Sequence, residues 1–280
     1  MFRFALGLAK LRFQIESPFE AVIDDGARPF LVGPVEKPDI SIRFRPVDSI
    51  APPHDGVWVE EVCFCPGKAF FRNARSLPPY AMVEETADGL LCCYVREFER
   101  YVRASDSILN LIGVENLLLK HGGMLLHASF IRTRGRGILF SAPCGVGKST
   151  QAALWQTHTG AEILNGDRAG IRSLNGVWTA FGMPFAGTSG IYRNESAPLA
   201  AIVALSQGSE NILRPLRPTE AVGKLLPEIS CRRWDSGFME QLLNLLIGLA
   251  VQVPVYALEC RPDEAAVRLL EEKLSKEGLL

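Results

Sequence analysis

The 280-residue sequence predicts an α/β protein with a mixed, largely antiparallel sheet, and three observations carry that expectation. Short β-like segments bounded by Pro and Gly fill the chain to about residue 104. The apolar run Gly137-Ile138-Leu139-Phe140 leads through a glycine-rich turn into helix-prone Gln151-Ala152-Ala153-Leu154-Trp155, a strand–loop–helix unit. The pair Asn175-Gly176, inside Ile171 to Ala180, is a strong short signal for a tight hairpin of antiparallel strands.

The elements follow in order. Residues 1–12 have apolar residues broken by Arg3, Lys10 and Arg12, which predicts a first strand rather than an export signal. Asp39 to Arg45 and Gly89 to Arg96 read as further strands, with turns such as Ala51-Pro52-Pro53-His54-Asp55-Gly56 between them. Residues 1–104 therefore form a β-rich N-terminal part, and 105–280 a second, nucleotide-binding part. Ser105 to Lys120 reads as a helix, with Ile108, Leu111, Ile112 and Leu118 near 3.6 spacing and Gly122-Gly123 as its stop. Strands are expected at Met124 to Ile131, Gly137 to Phe140, Ala161 to Leu164, Ala200 to Leu205 and Val253 to Leu258. Helices are expected at Lys148 to His158, Thr219 to Pro227, Asp235 to Val251 and Pro262 to Lys276, with Trp178 and Trp234 in the core.

Composition narrows the function. Thirty basic and 31 acidic residues leave a net charge of −1, so no global field recruits nucleic acid or an anionic membrane. The longest apolar stretch, Leu242 to Val253, is interrupted by Asn244 and Gln252 and is too short to cross a bilayer, so a cytoplasmic protein is expected. Seven cysteines without C-x-x-C spacing argue against a disulfide framework and a zinc ribbon. Cys144 stands apart, as a thiol near an expected helix N-terminus and open to a lowered pKa and oxidation.

The chemistry is concentrated in Ser141-Ala142-Pro143-Cys144-Gly145-Val146-Gly147-Lys148-Ser149-Thr150. A polyphosphate needs several N–H donors converging on it, and a loop with little Cβ bulk at Gly145 and Gly147, leading into a helix N-terminus, supplies them. Lys148 adds a mobile point charge for the β- and γ-phosphates, and Ser149, with Thr150 behind it, a hydroxyl suited to phosphate-bound Mg²⁺. The first glycine of the usual G-x-x-x-x-G-K-[ST] pattern is Ala142 here, which takes φ > 0 less freely.

Three stretches together carry a resemblance: Leu126-His127-Ala128-Ser129, the loop 141–150, and Ile163-Leu164-Asn165-Gly166-Asp167-Arg168 within 20 residues of Lys148. The set resembles the HPr kinase and ATP-type phosphoenolpyruvate carboxykinase superfamily of P-loop proteins. Gly182-Met183-Pro184-Phe185-Ala186-Gly187, followed by Arg193-Asn194 and Pro198-Leu199, is also similar to HPr-kinase-related serine kinases found beside peptide-modification genes. The likeness spans roughly residues 106 to 260 and implies an HPr kinase-like core with ATP and Mg²⁺ as cofactors. It implies His127 near the transferred phosphate, Asp167 and Ser149 on the metal, and Lys148 on the phosphates. Family members usually carry two adjacent aspartates, one for the metal and one to abstract the acceptor's proton; here the pair is Gly166-Asp167. The base is then His127, a water, or a carboxylate from elsewhere such as Glu195, and a missing base typically costs about 10² to 10⁴ in rate.

Arg193 is a candidate phosphate clamp through its planar fork of donors, and Gly187-Thr188-Ser189-Gly190 a candidate second anion-binding turn. Arg214, Arg217, Arg232 and Arg233 form a basic group, solvated or acceptor-binding. The expected activity is ATP-dependent transfer of the γ-phosphate to a hydroxyl, serine first, of a peptide, protein or small molecule, with no nucleic-acid or membrane partner and with self-association left open. The alternative is a catalytically reduced nucleotide-binding module that scaffolds or regulates a peptide-modification system.

Overall fold

The computed structural model describes residues 1–33, 35–231 and 235–280, so Arg232, Arg233 and Trp234 lie outside the described residues. The chain divides into two compact units, Met1–Val114 and Glu115–Leu280.

The first unit is a nine-stranded sheet built from β1 (Phe2–Leu8), β2 (Leu11–Ser17), β3 (Leu31–Val32), β4 (Ile40–Val47), β5 (Val57–Val59), β6 (Val62–Cys65), β7 (Lys68–Phe71), β8 (Ala81–Thr86) and β9 (Gly89–Val95). Its order is β3-β1-β2-β4-β9-β8-β7-β6-β5, with β2, β4 and β9 mutually parallel and the other pairs antiparallel. Period-two burial drives it. In β2, Leu11, Phe13, Ile15 and Ser17 are buried while Arg12, Gln14 and Glu16 are not. A short helix, α1 (Glu99–Val102), and α2 (Ser105–Ile112) follow.

The sequence places Ser105 to Lys120 in one helix and in the second part of the chain. Instead Gly113 adopts φ 62°, a left-handed C-cap that ends α2, and α3 (Val114–Lys120) starts afresh. The helix α2 packs on β8 and β9, so it belongs to the first unit.

After α3, the second unit contains β10 (Gly123–Thr133), β11 (Arg136–Ser141), α4 (Lys148–Thr159), β12 (Glu162–Asn165), β13 (Arg168–Leu174) and β14 (Val177–Gly182). It continues with β15 (Ser196–Gln207), β16 (Ile212–Pro215), α5 (Pro218–Leu225), α6 (Ser236–Gln252), β17 (Val255–Cys260) and α7 (Glu264–Lys276). Its eight strands make a mixed sheet in which only the β11–β15 and β15–β17 pairs are parallel among the described residues. The hairpin at Asn175-Gly176 joins β13 to β14 with φ 51° and 82°, as its residues predict.

Strand β10 positions the site. Its first half, Gly123 to His127, pairs with β13, and its second half, Ala128 to Thr133, pairs with β11. Alternation along it feeds two cores. Met124, Leu126, Ala128 and Phe130 pack with Leu242, Leu246 and Leu249 of α6 and with Trp178; Ile131 packs with Ile138, Phe140, Trp155 and Leu270. His127 sits where β10 changes partner. No helix among the described residues is long and apolar enough to cross a membrane, and all seven cysteines are free thiols.

Candidate functional site

Strand β11 ends at buried Ser141, whose hydroxyl donates to the carbonyl of His127 at 3.0 Å. The glycine loop therefore begins beside that histidine. Gly145 and Gly147 take φ 81° and 121°, a region that strains any side chain, and a Cβ on either would meet nothing within 4 Å. Glycine is required there by backbone conformation rather than by crowding. Ala142 is buried and not among the positive-φ residues, so the alanine replaces a glycine at no conformational cost. Gly147 is the N-cap of α4 and offers no side chain to its first-turn N–H groups.

Lys148 is buried, and its ammonium donates to the carbonyls of Ala142 at 2.8 Å and Pro143 at 3.2 Å. Burial lowers its pKa, while the charges of Glu228, Cys144 and Asp167 act in the opposite direction. Ser149, Thr150, Pro143 and Cys144 are exposed, and Gln207 donates to the Gly145 carbonyl at 3.3 Å.

Asp167 lies in the turn between β12 and β13. Asn165, fully buried, accepts from the backbone N–H groups of Asp167 and Arg168, both at 2.9 Å, and donates to the Met183 carbonyl at 2.7 Å. Asn165 thus fixes the backbone that presents Asp167, and the Ala128 N–H ties the Asp167 carbonyl to β10 at 2.8 Å. Gly166 has no room for a side chain: a Cβ there would lie 1.8 Å from the Ser189 hydroxyl. The turn Gly187–Ser189 packs over Gly166 and Asp167, and a Cβ on Gly187 would come 3.0 Å from the Asp167 side chain.

The imidazole of His127 bridges two carboxylates. Nδ1 lies 2.9 Å from Oε2 of Glu228, and Nε2 lies 3.5 Å from Oδ1 of Asp167. Asp167 first, and then Glu228, raise the pKa of His127, against burial and the nearby Lys148 charge. The same contact holds the Asp167 carboxyl below its usual range, helped by Arg168 at 3.6 Å and by Lys148. A cavity of about 220 Å³ opens here, lined by His127, Asp167, Arg168, Glu228 and Ser230. Local pattern gives no hint of Glu228, which stands 101 residues from His127.

The remaining candidates lie elsewhere. Arg193 pairs with Glu162 at 3.6 Å, and Glu195 with Arg132 at 2.7 Å. Arg132 also grips Glu162 at 2.9 Å. Arg132 is five residues beyond His127 on β10, roughly 16 Å at 3.3 Å per residue. Arg214 and Arg217 both pair with Glu220.

A family model described as SynChlorMet cassette protein ScmC matches residues 91–264, a span that contains every group of the site. No curated protein matches the chain. Among solved structures, the HPr(Ser) kinase/phosphatase from Coxiella burnetii is similar at 14% identity and a TM-score of 0.33, over 55% of this chain and 93% of that one.

Proposed function

The chain belongs to the SynChlorMet cassette protein ScmC family, and we propose that it is an ATP- and Mg²⁺-dependent phosphotransferase that phosphorylates a hydroxyl, serine first, of a peptide, protein or small molecule. One observation carries this reading: the buried Lys148, the glycine loop, His127 and the half-buried Asp167 converge where β10 changes partner. Ion-pair networks built for stability bury matched charges. Here a lysine spends its donors on loop carbonyls while two carboxylates and a histidine face a cavity.

The donor set suits the reagents. Gly145 and Gly147 place no Cβ at two positions of the loop, and Lys148 would exchange its carbonyl partners for phosphate oxygens. The described residues contain no cluster of three or more His, Cys, Asp or Glu fit for a metal of its own. Asp167 and the exposed hydroxyl of Ser149 instead offer the one or two hard oxygens that Mg²⁺ takes from a protein when phosphates and water complete its shell. Bound MgATP supplies a transferable phosphoryl group with its charge partly neutralised, so the protein's task is positioning. His127 handles the proton of the acceptor. Arg193, held by Glu162, has no part in this reading.

A second reading, a nucleotide-binding module with reduced turnover, is favoured by one feature: Ser189 occupies the space above Gly166, so no second carboxylate fits there. Titration calorimetry with ATP, with and without Mg²⁺, followed by phosphate release, separates the two. Binding with turnover supports the transferase, and binding without it the module. No binding at either condition removes both.

A further inference from the structure

We propose that Glu228 is a positioning residue that holds His127 as the Nδ1–H tautomer, leaving the Nε2 lone pair to receive a proton, and so supplies from far along the chain the second carboxylate that Gly166 cannot carry. The proposal deepens the phosphotransferase reading and rests on it for its chemical meaning, although not for its test.

The geometry is unequal in a way that decides the tautomer. A neutral imidazole has one N–H to give, and His127 stands between two acceptors. The Glu228 contact is 2.9 Å, an ordinary hydrogen bond, whereas 3.5 Å to Asp167 is at the edge of one. The Glu228 side chain is also the less exposed partner, 12% against 28% for Asp167. The single N–H therefore goes to Glu228. In that neutral form Nε2 carries no proton at the cavity that His127, Asp167 and Glu228 line, whereas the imidazolium, which the two carboxylates favour, donates to both.

Glu228 is not a loose surface group that happens to reach the ring. It ends a 3-10 turn, Leu226–Glu228, in which the Ile229 N–H returns to the Leu226 carbonyl at 3.3 Å. The next two residues are stitched to β10 immediately before His127. Ile229 is buried and bridges Leu126, and the Ser230 N–H donates to the Leu125 carbonyl at 2.9 Å. Both halves of the pair are thus carried on one laced backbone, which fixes the ring's orientation as well as its tautomer. The other carboxylate weighed as a base, Glu195, is held by Arg132.

In the step this prepares, an electron pair of the acceptor oxygen forms the new bond to the γ-phosphorus while its proton passes to Nε2. The bond from phosphorus to the bridging oxygen breaks with its pair on the departing diphosphate. The Nδ1–H stays on the ring, donated to the Glu228 carboxylate, which stabilises the imidazolium so formed, the arrangement that a carboxylate–histidine pair uses in acyl transfer.

The test uses the full chain without nucleotide, labelled with ¹⁵N-histidine; it has four histidines, and His127→Gln identifies the ring. Long-range ¹H–¹⁵N spectra at a pH where the imidazole is neutral should show His127 as Nδ1–H in the wild type and in Glu228→Gln, which keeps an acceptor oxygen. Glu228→Met, of similar length but without an acceptor, should move it to Nε2–H. ATP turnover to water with Mg²⁺ should fall about 10- to 100-fold in kcat in Glu228→Met, with KM for ATP within about twofold and recovery in Glu228→Gln. Nε2–H in the wild type, or Nδ1–H retained in Glu228→Met, overturns the proposal whether or not ATP turns over. A wild type that binds no ATP yet shows the expected tautomers sinks the phosphotransferase reading and leaves the positioning role standing.

Discussion

Two charged clusters hang from β10, and they differ in what their charges do. Around Arg132, the carboxylates of Glu162 and Glu195 are answered by Arg132 and Arg193 at 2.7 to 3.6 Å, on side chains that are 24 to 49% exposed. Around His127, two carboxylates share one imidazole, Lys148 points into its own loop, and a cavity opens beside the carboxylates and the ring. The first cluster is saturated, so its chemistry is spent on itself. The second retains lone pairs and a displaceable lysine, and that surplus is what marks a site. Charged residues near a glycine loop in sequence are therefore not equivalent until their partners are known.

The largest expected effect tests this contrast directly. Lys148→Ala should weaken ATP binding about 100-fold or more in calorimetry, a loss of roughly 3 kcal/mol for charge-assisted phosphate contacts. Arg193→Ala should leave the affinity within about twofold. Equal losses from the two variants would dissolve the distinction between the clusters. Asp167→Asn adds a finer cut: it should keep binding in the absence of Mg²⁺ and lose the gain that Mg²⁺ gives.

Next in size is the packing that excludes a second carboxylate. Gly166→Ala should destabilise the chain by about 2–3 kcal/mol in urea denaturation, because its Cβ would fall 1.8 Å from the Ser189 hydroxyl. Ser189→Gly in the same chain should recover most of that loss, a coupling that double-variant analysis reads. Additive effects would mean that the Gly187–Ser189 turn yields freely, and the absent aspartate would then need another cause.

Why some of this could be read in the sequence, and some not, follows from where each determinant lies. The hairpin at Asn175-Gly176 was legible because those residues favour the positive φ that a two-residue turn needs. The turn between β1 and β2 has the same demand, with Ala9 at φ 49° and Lys10 at 63°, yet neither residue announces it. Gly113 falls inside the single helix expected over Ser105 to Lys120, because nothing local shows that α2 must stop to pack on the first sheet. At the site, the loop, His127 and Asp167 lie in short motifs whose chemistry is local. Glu228 does not, since its role depends on a strand pairing that brings Leu126 against Ile229. Arg193 and Glu195 attracted attention for charge and position, and their partners, Glu162 and Arg132, sit on other strands. Asn165 was quoted only as part of a motif, although its buried amide sets the backbone of Asp167.

The smallest expected effect sharpens the contrast through its sign with pH. In the saturated cluster the hydrogen bond from Arg132, opposed by desolvation and helped by the charges of Arg132 and Arg193, holds the Glu162 carboxyl below its ordinary value. A depressed carboxyl contributes stability that is present above the unfolded-state value and is lost as pH falls through the folded one. Arg132→Met should therefore lower Tm by about 1–3 °C near neutrality, a modest loss suited to exposed pairs, and the gap to wild type should close on acidification. The His127 cluster has the opposite sign. Its raised imidazole contributes stability present below the ordinary histidine value and lost as pH rises through the folded one, so the Tm gap between wild type and His127→Gln should widen in acid where the other narrows. Melting curves of the two variants over the same pH series read both trends at once. Parallel trends would mean that His127 is held by packing rather than by its carboxylates, and the second cluster would then be as closed as the first.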